Sequence, residues 1–167
     1  MTMGLAIIME DVEWLKSMLS EEREVRPPSN RKKEQRHLNG NCVKLYDNSQ
    51  IIAYAETRKV GSHIEISTVL VDPKYRNKGY AKQLIKKALE DIDHDKILCC
   101  TKNPAMAGVL DSLGFKITKW PGFWTYFVLS INTIRRLFSM LVRLDFKRIW
   151  HQGKGIHKYD QFEIIRN

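Results

Sequence analysis

The chain of 167 residues contains few cysteines, few prolines and no long uncharged run. Its three cysteines are an odd number without the spacing of metal ligands, which argues against a disulfide scaffold and against a metal site. The longest uncharged stretch, residues 120–134, has 15 residues, whereas a membrane-spanning helix needs ~20. Internal repeats and low-complexity tracts are also missing. These absences favour a globular domain without a transmembrane segment.

The hydrophobic content of the chain and its first residues indicate how many domains it forms and where in the cell it is expected. With 43% hydrophobic residues the chain can fill one core, so we predict a single domain over residues 1–167. The apolar residues Leu5–Ile8 follow no basic leader and run into Glu10 and Asp11, unlike a secretion signal. We therefore expect a cytoplasmic protein.

The most informative segment is residues 64–82, where a β-pattern passes through a turn into a helix. β-Branched residues dominate 64–71, and Pro73 ends the strand because proline lacks the amide that a ladder needs. From Ala81 onward apolar residues recur with helical spacing, so a helix begins near Gly79. The free amides of its first turn and the positive end of its dipole favour a pyrophosphate, and Gly79 has no side chain to block the approach.

Two motifs in this half of the chain resemble those of a known family. The hexamer at 76–81, Arg-Asn-Lys-Gly-Tyr-Ala, is similar to the acyl-CoA pyrophosphate signature of the GCN5-related N-acetyltransferase (GNAT) family, (Arg/Gln)-x-x-Gly-x-(Gly/Ala). As in that family, a strand ending in Val-x-Pro precedes it, here at 71–73. Residues 103–115 resemble the family's later motif, in which an asparagine after a strand precedes a helix that ends in Gly-Phe. The order and separation of the two motifs also match the family.

The resemblance implies an α/β acyl-CoA N-acyltransferase (GNAT) fold, with a mixed, mostly antiparallel central sheet flanked by helices. The core is expected at about 3–120 with a closing strand at about 159–166, and a variable helical segment lies at about 121–158. Acetyl-CoA is the implied cosubstrate, and no metal is implied. The strands at 64–71 and 96–101 would splay apart, so that their free backbone groups pair with pantetheine. The implied cofactor-binding residues are Val69, Leu70, Val71, Arg76, Asn77, Lys78, Gly79, Tyr80, Ala81, Lys82 and Asn103.

Local patterns predict the remaining elements. β-Branched and alternating runs bounded by turn residues indicate strands, and 3.6-residue periodicity indicates helices. The predicted strands are Gly4–Met9, Cys42–Tyr46, Ile51–Lys59, Ile64–Val71, Lys96–Thr101, Phe115–Trp120 and Tyr159–Arg166. A helix is predicted over Asp11–Leu19, and the polar stretch Ser20–Asn41 is either a loop or a short charged helix.

Acetyl transfer to an amine calls for a base, because the attacking nitrogen must be neutral. Glu65 is the candidate, since it lies eleven residues before Arg76, the separation that the catalytic glutamate has in the histone-type members of the family. The alternative for Glu65 is a position on the solvent-facing side of the sheet. Glu56 and His63 are weaker candidates for the base.

Two positions depart from the family's pattern. Many members place a tyrosine seven residues after the motif asparagine, where this chain has Leu110, part of an apolar helical stripe typical of a core. Another group must then protonate the CoA thiolate that leaves: Ser112, Tyr80, a cysteine thiol or solvent. Ribosomal-protein N-terminal acetyltransferases carry a glutamate where this chain has Leu98, which disfavours that substrate class.

The segment 121–158 lies where most relatives have a short hairpin. It carries seven basic residues and one acidic residue, so that +6 of the net charge of +9 is concentrated there. Apolar residues of 131–142 follow a helical period while Arg136, Arg143 and Lys147 gather on another side, which predicts a C-terminal basic amphipathic helix. Three interpretations compete: packing within the domain or against a second copy, contact with RNA or DNA, and attachment to an anionic membrane surface.

The aromatic residues of 120–127 are expected to pack in a core or interface, with an acceptor pocket as the alternative. The predicted function is transfer of an acetyl group from acetyl-CoA to a primary amine by direct attack. A basic surface disfavours cationic acceptors and suits an amine on an anionic carrier, such as tRNA or a modified nucleobase. The alternative is a non-catalytic module of the same fold that binds acyl-CoA or nucleic acid, and the missing tyrosine supports it.

Overall fold

The computed structural model describes residues 2–142, 144, 146–153 and 159–166. The helices are α1 (Thr2–Glu21), α2 (Arg31–Leu38), α3 (Tyr80–Asp91), α4 (Pro104–Ser112), α5 (Phe123–Val142) and α6 (Phe146–Gly153). The strands are β1 (Cys42–Asp47), β2 (Gln50–Val60), β3 (His63–Val71), β4 (Lys96–Thr101), β5 (Lys116–Thr118) and β6 (Asp160–Ile165). A 3₁₀ turn, Pro73–Tyr75, follows β3 and leads towards α3.

The six strands form one sheet in the order β1-β2-β3-β4-β6-β5. Among the strands described, β3 and β4 run parallel and each other neighbouring pair is antiparallel. The expected mixed, mostly antiparallel sheet with flanking helices is therefore confirmed. The closing strand predicted at 159–166 is β6, and it lies between β4 and β5.

The strand predicted over Gly4–Met9 is wrong, because this segment belongs to helix α1. A short apolar run fits a strand or a buried helix equally well, and periodicity alone does not separate them. Here the helical spacing continues from Leu5 without a break, and no proline or turn residue separates the run from Val12 and Leu15. Both of these side chains are buried. Their packing stabilises this part of α1 as a helix, and the helix continues from there towards the N-terminus through Gly4–Met9.

Hydrophobic cores lie on both faces of the sheet. Because alternate residues of a strand point to opposite faces, Ala53 and Ala55 of β2 join one core and Tyr54 joins the other. In the first core α3 and α4 pack on the sheet, and its buried helical members are Leu84, Ile85, Ala88 and Leu110. In the second core α1 and α2 pack on the sheet, and its buried helical members are Val12, Leu15, Met18, Leu19 and Leu38.

The variable segments contain helices. Helix α2 confirms the short charged helix as the right alternative for part of Ser20–Asn41, and Asn30 caps its N-terminus. Helix α5 begins at Phe123, earlier than the predicted periodic stretch at 131–142. The predicted basic face cannot be placed as a whole, because Arg143 lies outside the described residues, as do Lys154 and Lys158 of the same basic segment. Its clustering stays a prediction.

Replacing Phe115 by alanine should lower the free energy of unfolding by about 3–5 kcal/mol, because the ring is 1% exposed in the α3–α4 core and the cavity would not refill. Urea denaturation followed by circular dichroism measures the change. Ile117→Ala is the matched control on β5, since this side chain is 63% exposed and its loss should cost less than ~0.5 kcal/mol. Equal losses in both variants would contradict the placement of the core.

Candidate active site

Strands β3 and β4 pair at three positions and then separate. The parallel register is Ile64↔Ile97, Glu65↔Leu98 and Ile66↔Cys99. Strand β3 continues to Val71 and β4 to Thr101, but these later residues do not pair with each other. The backbone groups of residues 67–71 therefore lack sheet partners on the β4 side and face an opening. A cofactor arm with amide groups can pair with such an edge.

A β-bulge at Thr68 bends β3 where this opening begins. Ser67 lies opposite Glu56 on β2, but Leu70 lies opposite Tyr54, so β3 carries one extra residue in between. Thr68 has a left-handed φ of 52°, and its hydroxyl donates to Glu56 Oε2 at 3.0 Å. A bulge increases the local twist, and it thereby turns β3 away from β4.

The turn before α3 is open to an anion. Gly79 occupies the N-cap position with a φ of 82°, a left-handed conformation that favours glycine. No side chain caps the helix, so the amides of its first turn remain free to donate. A Cβ atom built on Gly79 would meet nothing within 4 Å, which shows that the space above the turn is empty of protein. These features fit a pyrophosphate group.

The turn is held in place by side chains on either side of it. Arg76 Nε donates to the carbonyl oxygen of Val71 at 3.0 Å, and its Nη2 donates to Glu22 Oε1 at 2.6 Å. The hydroxyl of Tyr75 donates to Asp47 Oδ2 at 2.8 Å. The end of β3, the residue that follows α1 and the last residue of β1 thus fix the loop before α3 begins.

Asn103 of the second motif caps helix α4. Its Oδ1 accepts hydrogen bonds from the amides of Ala105 at 2.9 Å and Met106 at 3.4 Å. Pro104 follows it at the first helical position, where proline is favoured. The residue also lies on the wall of the cleft, so capping and contact with a ligand are compatible.

A cleft of about 1060 Å³ runs through these features. Strand ends from β3 and β4, the starts of α3 and α4, and helix α5 form its walls. Of the eleven residues implied for cofactor binding, all except Lys78 line it. Lys78 instead places its Nζ 5.4 Å from the ring centre of Tyr75, as a cation–π contact next to the turn.

Glu65 lies on the cleft wall at the last paired part of β3, and it is 5% exposed. The solvent-facing alternative for this residue is therefore wrong. Its Oε2 accepts a hydrogen bond from Arg58 Nε at 2.7 Å, and the two residues face each other across β2 and β3. Burial acts to lower the pKa of Arg58, but the charge and hydrogen bond of Glu65 raise it above its ordinary value. The other oxygen, Oε1, accepts no hydrogen bond from the described residues.

A second ionic cluster occupies the side of the cleft next to α2. Arg26 donates from Nη1 and Nη2 to both oxygens of Glu34 and from Nε to Glu56 Oε1 at 2.8 Å. Glu34 is fully buried, and although burial raises its pKa, the hydrogen bonds and charge of Arg26 hold that pKa below its ordinary value. Glu56 also accepts from Tyr54 and Thr68. Both oxygens of Glu56 are engaged, which makes it a poor base.

His63 is separated from the cleft and buried at the opposite end of β3. Its Nδ1 lies 2.9 Å from Thr125 Oγ1, and its Nε2 lies 2.6 Å from Glu163 Oε1. The neighbouring Gly61 approaches Thr125 so closely that a Cβ atom there would lie 2.7 Å from Thr125 Cα. His63 is thus a connector between α5, β6 and the β2–β3 turn rather than a base.

The candidate proton donors fall into two groups, those that line the cleft and those that do not. Leu110 is fully buried in the α3–α4 core, as its stripe predicted. Ser112 is exposed and donates to the carbonyl of Val109, and it does not line the cleft. Tyr80 and Cys100 do line the cleft. The adjacent Cys99 also borders it, but its thiol is buried, and burial raises its pKa so that it stays protonated.

Helix α5 closes the cleft with a face of mixed polarity. Its lining residues are Tyr126, Leu129, Ser130, Asn132, Thr133, Ile134 and Leu137. Four of the aromatic residues of 120–127 are exposed and do not line the cleft, so for them neither the core nor the acceptor pocket holds, and packing in an interface stays a prediction. They are Trp120, Phe123, Trp124 and Phe127.

Sequence reasoning missed two parts of this site, and each left a signal. Arg58 faces Glu65 because the tight turn at Gly61-Ser62 pairs the residues symmetrically on either side, so the ion pair was readable from spacing. Tyr126, Ser130 and Thr133 recur at helical spacing in an otherwise apolar segment, which marks a polar face.

Splayed parallel strands that lead into an open phosphate turn define an acyl-CoA-dependent transferase fold. A sequence model described as "Acetyltransferase (GNAT) family" matches residues 9–115, which is more than half of the chain. The chain belongs to the GNAT acetyltransferase family. A search of curated proteins found no match.

Solved structures share the fold at low sequence identity. Rv2747 from Mycobacterium tuberculosis, in complex with CoA and NLQ, has a TM-score of 0.63 at 12% identity, covering 95% of this chain and 96% of that one. N-acetylglutamate synthase from Neisseria gonorrhoeae, complexed with coenzyme A and N-acetyl-glutamate, has a TM-score of 0.62 at 13% identity, covering 94% and 33%. The protein yncA from Salmonella typhimurium, solved with acetyl-CoA, has a TM-score of 0.54 at 18% identity, covering 68% and 80%.

Metal ligands are not grouped in the part of the chain that the structure describes. No three or more side chains of histidine, cysteine, aspartate or glutamate lie there in an arrangement that could hold a metal ion.

Replacing Gly79 by glutamate should abolish acetyl-CoA binding, because the new side chain enters the empty space above the turn with a negative charge. Thermal unfolding with and without acetyl-CoA measures it. At 100 times Kd one site adds ~2.7 kcal/mol, so the melting temperature of the parent should rise by roughly 5–11 °C.

Gly108→Glu is the matched control, since Gly108 is an exposed helical glycine that does not line the cleft. It should keep the full rise. Because the left-handed φ of Gly79 strains any other residue, the melting temperature of Gly79→Glu without ligand must show a folded protein. A folded Gly79→Glu variant that keeps the rise would refute the placement of the pyrophosphate.

Proposed function

We propose that this protein transfers the acetyl group of acetyl-CoA to a primary amine that enters the cleft beside α5. The amine attacks directly in a ternary complex, and Glu65 acts as the base. Membership of the GNAT family supports the reaction class. The acceptor, the mechanism and the residue roles are proposed from the geometry of this chain.

The observation that carries the proposal is the position of Glu65 relative to the opening. It immediately precedes Ile66, the last residue of β3 that pairs with β4. From there the unpaired edge of residues 67–71 leads along β3 to the phosphate turn at Gly79. An acyl-CoA whose pyrophosphate lies on that turn and whose arm follows that edge would bring its thioester towards Glu65.

The protein's part in the reaction is placement and proton transfer. Acetyl-CoA supplies an activated acetyl group: the amine nitrogen forms a bond to the thioester carbon, the carbon–sulfur bond breaks, and CoA leaves as its thiolate. Glu65 lines the cleft and takes the proton that the amine loses, directly or through water, on Oε1, which accepts no hydrogen bond from the described residues. Arg58 holds the other oxygen and fixes the orientation of the carboxylate.

Proton donation to the thiolate falls to Tyr80 or Cys100. Both line the cleft, whereas Leu110 is in the core and Ser112 is turned away. Cys100 follows Cys99, the last residue of β4 that pairs with β3, so it lies at the thioester end of the opening. Tyr80 begins α3 beside Gly79, at the pyrophosphate end, where its ring packs edge-on against Tyr75. Cys100 is therefore the better donor of the two.

The polar residues of the cleft suit an acceptor that carries an anionic group beside its amine. Arg26, Arg58 and Lys102 line the cleft, and each is paired with a glutamate. A site with both signs of charge can hold an amine and an acid together. Amino acids, phosphorylated amines and the aminoacyl end of tRNA share this chemistry. The neighbour from Neisseria gonorrhoeae was solved with N-acetyl-glutamate, so glutamate belongs in a first panel of acceptors.

Changing Glu65 to glutamine should lower kcat by about 10²–10⁴-fold near neutral pH, because the amide keeps the shape of the side chain but cannot accept the proton. Release of CoA is measured with the acceptor that turns over best in the panel. Acetyl-CoA binding should be unchanged, as tested by the thermal shift.

Glu90→Gln provides the matched control, since Glu90 is exposed on α3 and does not line the cleft. Turnover of this variant should equal that of the parent. If Glu65→Gln also turns over normally, Glu65 is not the base. Acetyl-CoA binding without turnover on any acceptor would favour the non-catalytic alternative.

A further inference from the structure

Helix α5 exposes a strongly apolar side to solvent. The side that faces the protein is mixed, with the buried Thr125 and Met140 and the cleft-lining Leu129, Asn132, Thr133 and Leu137. The side that faces solvent is apolar. Surface helices normally bury the apolar stripe and expose the polar one, so the outer face of α5 is built to contact something other than water.

The apolar face is continuous along the whole helix. On a helical projection its members fall within about a third of the circumference, and all are exposed: Phe123, Trp124, Phe127, Ile131, Ile134, Phe138, Leu141 and Val142. Ile134 lies at the edge of this face and also borders the cleft. With 20 residues the helix is about 30 Å long. Trp120 before it and Leu144, Phe146 and Trp150 after it are also exposed. We call these residues together the α5 stripe. An apolar surface of this extent on a soluble protein marks an interaction site.

The segment of sequence that carries the stripe is rich in basic residues. The sequence of residues 121–158 contains seven basic residues and one acidic residue. Of the basic residues, Arg135 and Lys147 are exposed in the described structure, and so is Lys119 next to Trp120. The partner of the stripe must therefore be apolar in its interior and anionic at its surface.

Charge and chemistry decide between the possible occupants. A second copy would place two segments of net charge +6 against each other, and like charges across an interface oppose association. Nucleic acid offers phosphates, but about half to two-thirds of the hydrogen bonds to DNA go to phosphate and sugar, and the stripe presents apolar side chains such as Ile134 and Val142 instead of donors. A bilayer with anionic headgroups satisfies both requirements, and tryptophan and phenylalanine are favoured at its interface.

We infer that the α5 stripe lies in the headgroup region of an anionic lipid bilayer and holds the protein on the membrane surface. Since the other side of α5 forms the wall of the cleft, the helix lies along the bilayer with only its outer side inserted. In the part of the chain that the structure describes, no helix is long and apolar enough to cross a membrane.

Vesicle sedimentation tests this inference. The full chain is mixed with vesicles of phosphatidylcholine alone or of phosphatidylcholine with phosphatidylglycerol. Binding to the anionic vesicles should be the stronger and should weaken with salt. The double variant Phe123→Glu with Phe138→Glu should bind anionic vesicles about tenfold more weakly or worse, because it places two charges in the inserted face. These side chains are 69% and 64% exposed, so the fold should tolerate the change.

Lys86→Glu is the matched control, because it changes the net charge by the same amount at an exposed site on α3. It should bind vesicles nearly as well as the parent, and both variants should keep the thermal shift with acetyl-CoA. The inference is overturned if the parent binds no vesicle, if it binds both compositions equally, or if the double variant binds as the parent does. A parent that forms dimers in ultracentrifugation without binding vesicles, while the double variant is monomeric, would assign the stripe to a second copy.

Discussion

Parallel pairing between β3 and β4 ends after Ile66 and Cys99, and the cleft depends on that early end. The bulge at Thr68 produces it, and the bulge is itself held by a hydrogen bond to Glu56. Arg26 fixes Glu56 and is anchored in turn by the buried Glu34 of α2. The segment between α1 and β1 thus reaches the centre of the sheet through one chain of charged hydrogen bonds. Changes in that segment are therefore transmitted to the site where the cofactor arm would lie.

Much of the fold was predictable because local and tertiary preferences agree. The turn at Gly79 needs a left-handed residue, and the spacing after Ala81 needs a helix, so sequence and structure coincide there. The start of α1 was mispredicted because a short apolar run is compatible with a strand or with a helix, and the packing of α1 on the sheet decides between them. The bulge at Thr68 was not foreseen, since threonine with positive φ is set by tertiary hydrogen bonds rather than by local propensity.

The candidate site was predictable where backbone geometry forms it and less so where side chains meet from distant elements. All but one of the implied cofactor residues lie on the cleft wall. Most of them belong to one continuous stretch of sequence, and local structure alone forms its strand edge and its helix start. The contacts of His63 join residues 62 and 100 positions apart, and no periodicity reports them. The orientation of α5 was also hidden, because helical periodicity predicts an amphipathic helix but only the tertiary structure shows which side faces the protein.

Strand β6 has a further consequence for how the chain is made. It is the last of the described strands in sequence order, yet it lies between β4 and β5, and among these strands it is the only neighbour of β5. During synthesis β4 therefore presents an open strand edge until residues 160–165 have left the ribosome. An open, apolar edge is a template for pairing between chains. The nascent protein is thus exposed to pairing between chains in the interval when α5 has been made but β6 has not yet been inserted.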